Sequence, residues 1–153
     1  MRVVLESIGV VESPRIEPTD DNWRSVESVL RIDAKRFGAE ALAGLNDFSH
    51  IDVVYFFHRV DEAAVVLSGH PRGNVRWPCV GIFAQRKKDR PNRLGVSTCE
   101  VLEVMADSVR VRGLDAIDGT PILDIKPFVE EFLPRGKTRQ PAWISELMRD
   151  YWE

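Results

Sequence analysis

The sequence predicts a mainly β chain: a small barrel or sandwich with one short internal helix and one C-terminal helix. Three observations carry this. Short runs rich in Val, Ile and aromatic residues recur from Arg2 to Lys126, turn residues separate them, and helical signals are confined to two places. At 153 residues the chain fits one domain of ordinary size. It can bury about 68–70% of its unfolded surface without metal or disulfide staples. Its 44% hydrophobic and 29% charged residues suit a soluble globular protein. The balance of 21 Lys+Arg against 24 Asp+Glu, a net charge of −3, argues against a generally basic coat and leaves room for a local basic patch.

The elements follow in order. Arg2 to Val11 is rich in Val, Leu and Ile and ends at Ser13-Pro14, so it is expected to be a strand. Pro14 to Asn22, with two prolines and three acids, is a loop. VLRIDAK, Val29 to Lys35, alternates as a half-exposed strand does, and AEALAGL, Ala39 to Leu45, suits a short helix. Ile51 to Val60, IDVVYFFHRV, is nearly continuous and β-branched or aromatic, so it should be central and buried. Ser68 to Pro78 reads as an extended loop, and Val80 to Ala84 as a short strand running into the polar tract Gln85 to Arg93. Strands are expected at Val96–Val104, Ser108–Leu114 and Pro121–Lys126, the last with Leu123 and Ile125 on one face. Arg135 to Gln140 is a basic linker. Pro141 then opens a helix to Trp152, with Trp143, Leu147 and Tyr151 on one stripe, docked on the barrel or shared with another subunit. The organisation expected is 1–134 as the β domain and 135–153 as basic linker and amphipathic helix.

Several function classes drop out. The longest apolar run, Val53 to Phe57, is too short to span a bilayer. The N-terminus MRVVLESIGVV, broken by Glu6, lacks the layout of a signal peptide, and a cytoplasmic protein is expected. Cys79 and Cys99 stand without CxxC or His partners, so reduced thiols and no metal site are expected. Neither G-x-G-x-x-G after a strand, nor G-x-x-x-x-G-K-[ST], nor G-x-S-x-G occurs, which removes Rossmann, P-loop and serine-hydrolase readings.

Three polar clusters remain. His58 and Arg59 sit together where the core strand should emerge, and structural and functional roles weigh evenly there. Five of the eight residues from Arg86 to Arg93 are basic. Lys87 and Lys88 fit a solvated turn, whereas the stiff Arg90-Pro91-Asn92 suits contacts to an anionic ligand or phosphate backbone. Asp115 and Asp118 stand three residues apart at the turn Asp118-Gly119-Thr120-Pro121. They could hold an amine or ribose, act as a base, or serve only the turn.

These stretches resemble the TrmO-type (TsaA-like, YaeB-like) S-adenosylmethionine-dependent tRNA methyltransferases. The resemblance lies in IGVVESP (Ile8–Pro14), FSHIDVVYFFHR (Phe48–Arg59), HPRG (His70–Gly73), GIFAQRKKDRPNRLGVS (Gly81–Ser97) and RGLDAIDGTPILDIKPF (Arg112–Phe128), in family order. It implies a small β-barrel working as a homodimer with S-adenosyl-L-methionine near the barrel mouth. It further implies N6-methylation of threonylcarbamoyl-adenosine beside the tRNA anticodon. Cofactor contacts are implied at His58, Arg59, Arg86, Val96 and the turn Asp115, Ala116, Ile117 and Asp118. Arg90 and Asn92 match the family's Arg-Pro-Asn signature. The chain departs from the pattern in IEPTDDNW (Ile16–Trp23), where a Pro and Gln pair is usual. Lys87-Lys88 and Arg93-Leu94-Gly95 also stand in for Ser-Pro and Pro-Ile-Gly. The short Arg135–Glu153 tail occupies the place of a larger C-terminal domain in some members.

The chemistry implied is alignment of nucleophile, methyl carbon and leaving sulfur. Arg59 or Arg86 would pair with the donor's carboxylate, Asp115 or Asp118 would hold its amine or ribose, and Asp118 or His58 would be the base. Arg72, Arg76, Arg90, Asn92 and Arg93 would contact the phosphates of the tRNA anticodon stem-loop. Two alternatives stand beside this: a methyltransferase acting on another substrate, and a non-catalytic RNA- or partner-binding barrel.

Overall fold

The structure is a computed structural model describing residues 1–153. Its centre is a closed antiparallel barrel of β1 (Gly9–Glu12), β2 (Glu27–Ile32), β3 (His50–Phe56), β6 (Leu94–Val104), β7 (Ser108–Arg112) and β8 (Pro121–Pro127), in the order β1-β2-β7-β6-β3-β8. A two-stranded ribbon, β4 (Ser68–Gly69) with β5 (Val80–Gly81), stands beside it. One α-helix, α1 (Ala142–Leu147), lies near the C-terminus.

The period-2 pattern does the folding. Along β3, Ile51, Val53 and Tyr55 are buried while the residues between them are not, and β2 alternates in the same way with Ser28, Leu30 and Ile32. With Val11, Cys99, Val109, Val111, Leu114 and Ile122 these side chains fill the interior, leaving the barrel a packed core. The outer face of β1, β2, β6 and β7 is an ion-pair ladder. Arg31 reaches Glu12 at 3.1 Å, Arg110 and Arg112 share Glu27 at 3.1 and 2.8 Å, and Glu100 and Glu103 complete it at 3.2 and 3.3 Å. Three arginines stand against four glutamates there, so this face offers no net attraction to a polyanion.

The structure corrects several boundaries. The apolar Arg2–Leu5 run is exposed and unpaired; the strand starts at Gly9, where β2 and β8 are available as neighbours. Ala39–Leu45 is not one helix but two single 3₁₀ turns separated by Gly44 at φ 82°. The third strand ends at Phe56, and Phe57–Val60 form a turn. Ser68 and Gly69, expected in a loop, pair as β4 with β5, which covers only Val80 and Gly81 before a 3₁₀ turn. In β8 the register shifts between Val54 opposite Asp124 and Tyr55 opposite Ile122, leaving Leu123 as the extra residue. The bulge breaks the alternation, so Ile122 and Ile125 face the core in place of Leu123 and Ile125.

The C-terminal helix is also shorter than expected. It stops at Leu147, and the chain turns so that the carbonyls of Asp150 and Tyr151 accept the amides of Asn22 (3.0 Å) and Trp23 (2.9 Å). Tyr151 packs on the second buried cluster, Trp23, Val26 and Ile117. Trp77 donates its indole N–H to Glu146 at 2.9 Å and faces Trp143 at 6.4 Å. Through these contacts the amphipathic segment docks on its own chain.

Candidate functional site

At one end of the barrel a carboxylate is ringed by hydroxyls. Asp115, just beyond β7, accepts hydrogen bonds on Oδ1 from Tyr55 (2.9 Å) and Ser97, and on Oδ2 from Tyr151. Tyr55 and Ser97 reach it because β3 and β6 pair in register, with Tyr55 opposite Gly95 and Val53 opposite Ser97. The Tyr55 ring fits only because residue 95 is glycine: a Cβ there would lie 2.3 Å from the ring. None of the chain's ion pairs involves Asp115.

The neighbours register this anion. Burial, then the Asp115 charge, holds both Tyr55 and Tyr151 far above the ordinary phenol range, so both remain donors. Burial and the same carboxylate push the Cys99 thiol up to about 12, leaving it an inert core residue. Arg86 and Arg72 lie close enough to Tyr151 to offset part of its rise. Three separate segments (the residue-115 turn, the residue-72 turn and the residue-86 tract) thus converge on the C-terminal tail.

A second organiser is Arg15, which the sequence reading passed over. Its guanidinium donates to Thr19 Oγ1 (2.6 Å), to the Asp21 carbonyl (2.7 Å) and to the Asn22 carbonyl, and its cation sits 4.4 Å from the Trp23 ring centre. The departing stretch Ile16–Trp23 is therefore a built loop. From outside, Arg59 holds it through the Ile16 carbonyl (2.6 Å) and Glu17 (3.3 Å), and Arg72 through Asp21 (2.7 Å). The buried indole N–H of Trp23 has no acceptor within the chain.

The remaining candidates divide by what already engages them. Asp118 is exposed; its carboxylate accepts the Ser13 amide at 3.0 Å, and its own N–H donates to Arg15 O at 2.7 Å, so it closes the turn against the Ser13-Pro14 segment. His58 is half-buried with no ring hydrogen bond, and a Cβ on Gly119 would lie 3.8 Å from its Nε2. Burial, then the Arg59 charge, holds its pKa below the ordinary histidine value. Arg86 donates one N–H to the carbonyl of half-exposed Val96 at 2.6 Å and keeps its other donors. Ala116 and Ile117 are buried, so their backbone, not their side chains, faces the turn.

In the basic tract, Arg90 donates to the Gln85 carbonyl (2.9 Å). Arg93 donates to the Val60 carbonyl (2.7 Å) and covers Phe56 at 4.7 Å. Asn92 and Arg93 hold positive φ, 62° and 50°, which fixes the turn. Of the residues proposed to meet phosphate, only Arg76 and Asn92 have side chains with no partner within the chain. No group of three or more His, Cys, Asp or Glu side chains that could hold a metal occurs, and no helix is long and apolar enough to cross a membrane.

Sequence reasoning missed Tyr55, Ser97 and Tyr151, because aromatic and small residues on apolar strands and stripes read as core. The signal was Asp115 itself, a carboxylate directly after an apolar strand.

Comparisons with known proteins bear on the family and the fold. Residues 13–132 match the family described as the tRNA-methyltransferase O N-terminal domain. A probable S-adenosyl-L-methionine-binding protein of Methanothermobacter thermautotrophicus is 38% identical over 86% of this chain and 93% of its own. The tRNA (adenine(37)-N6)-methyltransferase of Escherichia coli is 37% identical over 81% of this chain, which spans 57% of that enzyme. The crystal structure of TrmO from Pseudomonas aeruginosa superposes with a TM-score of 0.75 at 26% identity, covering 93% of this chain and 63% of the other.

Proposed function

As the chain belongs to the tRNA-methyltransferase O N-terminal domain family, we propose that it is an S-adenosylmethionine-dependent methyltransferase acting on N6 of an adenosine in tRNA. The observation that carries this reading is the Asp115 carboxylate, held by three hydroxyl groups and matched by no cation of the chain. A carboxylate fixed by neutral donors has its charge left to offer, which suits the ammonium of the methyl donor. Arg86 and Arg59 supply guanidinium groups for the donor's carboxylate, each anchored by a carbonyl so that its fork is already oriented. When bound, S-adenosylmethionine supplies an electrophilic methyl group with a good leaving sulfur.

The chain's own work is to fix geometry and take a proton. His58 is the base in this reading: it is neutral at physiological pH, and no hydrogen bond within the chain occupies its ring. Asp118 serves by holding the turn in which Asp115 sits, since Ser13 already engages its carboxylate. Arg76, Lys88 and Asn92 offer the substrate side its unengaged polar groups. The reading includes a cytoplasmic homodimer, with residues 1–134 as the barrel domain and 135–153 as an appended segment. The exposed side chains of Leu67 (73%) and Phe83 (81%), in segments joined by the Ile82 N–H to Leu67 carbonyl bond, support self-association, which sedimentation would register.

The test is calorimetric titration with S-adenosylmethionine, with Asp115→Asn and Arg86→Ala alongside, followed by methyl transfer to a tRNA transcript. Saturable binding that both variants weaken by about tenfold or more, plus methylation at adenine N6, is the expected outcome. Binding without transfer to tRNA would point to another acceptor, and no binding by a folded chain to a plain binding barrel.

A further inference from the structure

The hydroxyl of Tyr151 completes the Asp115 site from a part of the chain outside the barrel. Tyr55 and Ser97 satisfy Oδ1 from β3 and β6; only Tyr151 reaches Oδ2. The ring is held by packing on Trp23, Val26 and Ile117 and stands at 4.9 Å, edge to face, from Trp152. The backbone around it is tied to Asn22 and Trp23, in the loop that Arg15 organises. Packing and backbone ties thus hold the phenol in place without its hydroxyl, and the hydroxyl is spent on Asp115. With one oxygen held by two donors and the other by none, the carboxylate could swing about its Cβ–Cγ bond; the third donor fixes its plane.

We propose that Tyr151 is a positioning residue for Asp115, so that the segment Ala142–Trp152 is part of the methyl-donor site. This rests on the assignment of Asp115 to the donor's ammonium. The hydroxyl acts on the amino-acid end of the donor and leaves the nucleoside end untouched. That separation distinguishes positioning from simple structural support.

The experiment compares the unsubstituted chain with Tyr151→Phe, which keeps the ring and its packing. Affinity is measured for S-adenosylmethionine, for S-adenosylhomocysteine, and for 5′-methylthioadenosine, which has the nucleoside but neither ammonium nor carboxylate. Melting temperature is followed in parallel. The expected result is a loss of about tenfold for the first two ligands, unchanged affinity for 5′-methylthioadenosine, and a melting temperature within about 2 °C. Equal loss for all three ligands, or a collapse of melting temperature, would assign Tyr151 to the fold alone and overturn the proposal. Unchanged affinity for all three would overturn it as well. Failure of the unsubstituted chain to bind any of them would instead remove the reading of Asp115 itself, and this proposal with it.

Discussion

The phenol ring of Tyr55 packs against Gly95 on the neighbouring strand, so close that a methyl group at residue 95 would sit 2.3 Å from the ring. That contact aims the hydroxyl at Asp115. Gly95→Ala must therefore move the ring, and with it one of the three donors. Overpacking of this kind costs about 1–3 kcal/mol, and a chain of this size loses about 2–4 °C of melting temperature per kcal/mol. Weaker binding of S-adenosylmethionine should accompany the lower melting temperature. A variant that melts lower but binds unchanged would separate Tyr55 from the site.

With His58 as the proposed base, the pH dependence of methyl transfer follows the ionisation of its imidazole. Burial first, then the Arg59 charge, lowers its pKa, so the imidazole stays neutral further into acid than an ordinary histidine with a pKa of about 6.5. A base must be unprotonated, so the acid limb of the rate profile should lie below that value. Replacing Arg59 by Gln removes a repelling cation, makes protonation easier and moves the limb upward. The same sign governs stability: His58 takes up a proton more readily unfolded than folded, so stability is full above its unfolded value and is lost as pH falls from there through its lower folded value. A limb that stays in place in the Arg59 variant would exclude His58 as the base.

Arg15 carries a prediction about the loop alone. Its fork spans Thr19, Asp21 and Asn22 while its face covers Trp23. A lysine ammonium cannot bridge three acceptors in a plane or stack in the same way. Arg15→Lys should speed amide exchange at Asn22 and Trp23 by roughly tenfold or more, with the strand amides of β3 and β6 unchanged. Uniform exchange in both proteins would show that the docked tail alone holds the loop.

How much of this was legible in the sequence depends on the range of the interaction. The interior strands were, because Ile51, Val53 and Tyr55 alternate locally and turn residues bound the runs. The bulge at Leu123 was not, since it is a mismatch between β8 and β3 that neither strand carries alone. Asp115, Arg86 and His58 were visible as polar residues at strand ends. Tyr151 was visible only as one more apolar position on a stripe, because its partner Asp115 is 36 residues away. The basic tract shows the same limit of range. Counting charge between Arg86 and Arg93 says nothing about carbonyls of Gln85, Val60 and Val96, which already take donors from Arg90, Arg93 and Arg86.

That last distinction gives a prediction about tRNA binding in which two arginines of equal charge behave differently. The side chains of Arg76 and Lys88 have no partner within the chain, whereas Arg93 secures the Val60 carbonyl and covers Phe56. A side chain that neutralises a phosphate releases a counterion, so removing it lowers the slope of log affinity against log salt by about one per contact. Arg76→Ala should reduce that slope by about one and weaken binding similarly across RNA sequences, with no change in melting temperature. Arg93→Ala should instead lower the melting temperature, since the Val60 carbonyl loses its donor and the Phe56 ring its cover, and should change the slope less. The reverse pattern, with Arg93 dominating the salt slope, would mean that the turn at Pro91–Arg93 opens on the RNA and releases its guanidinium from Val60.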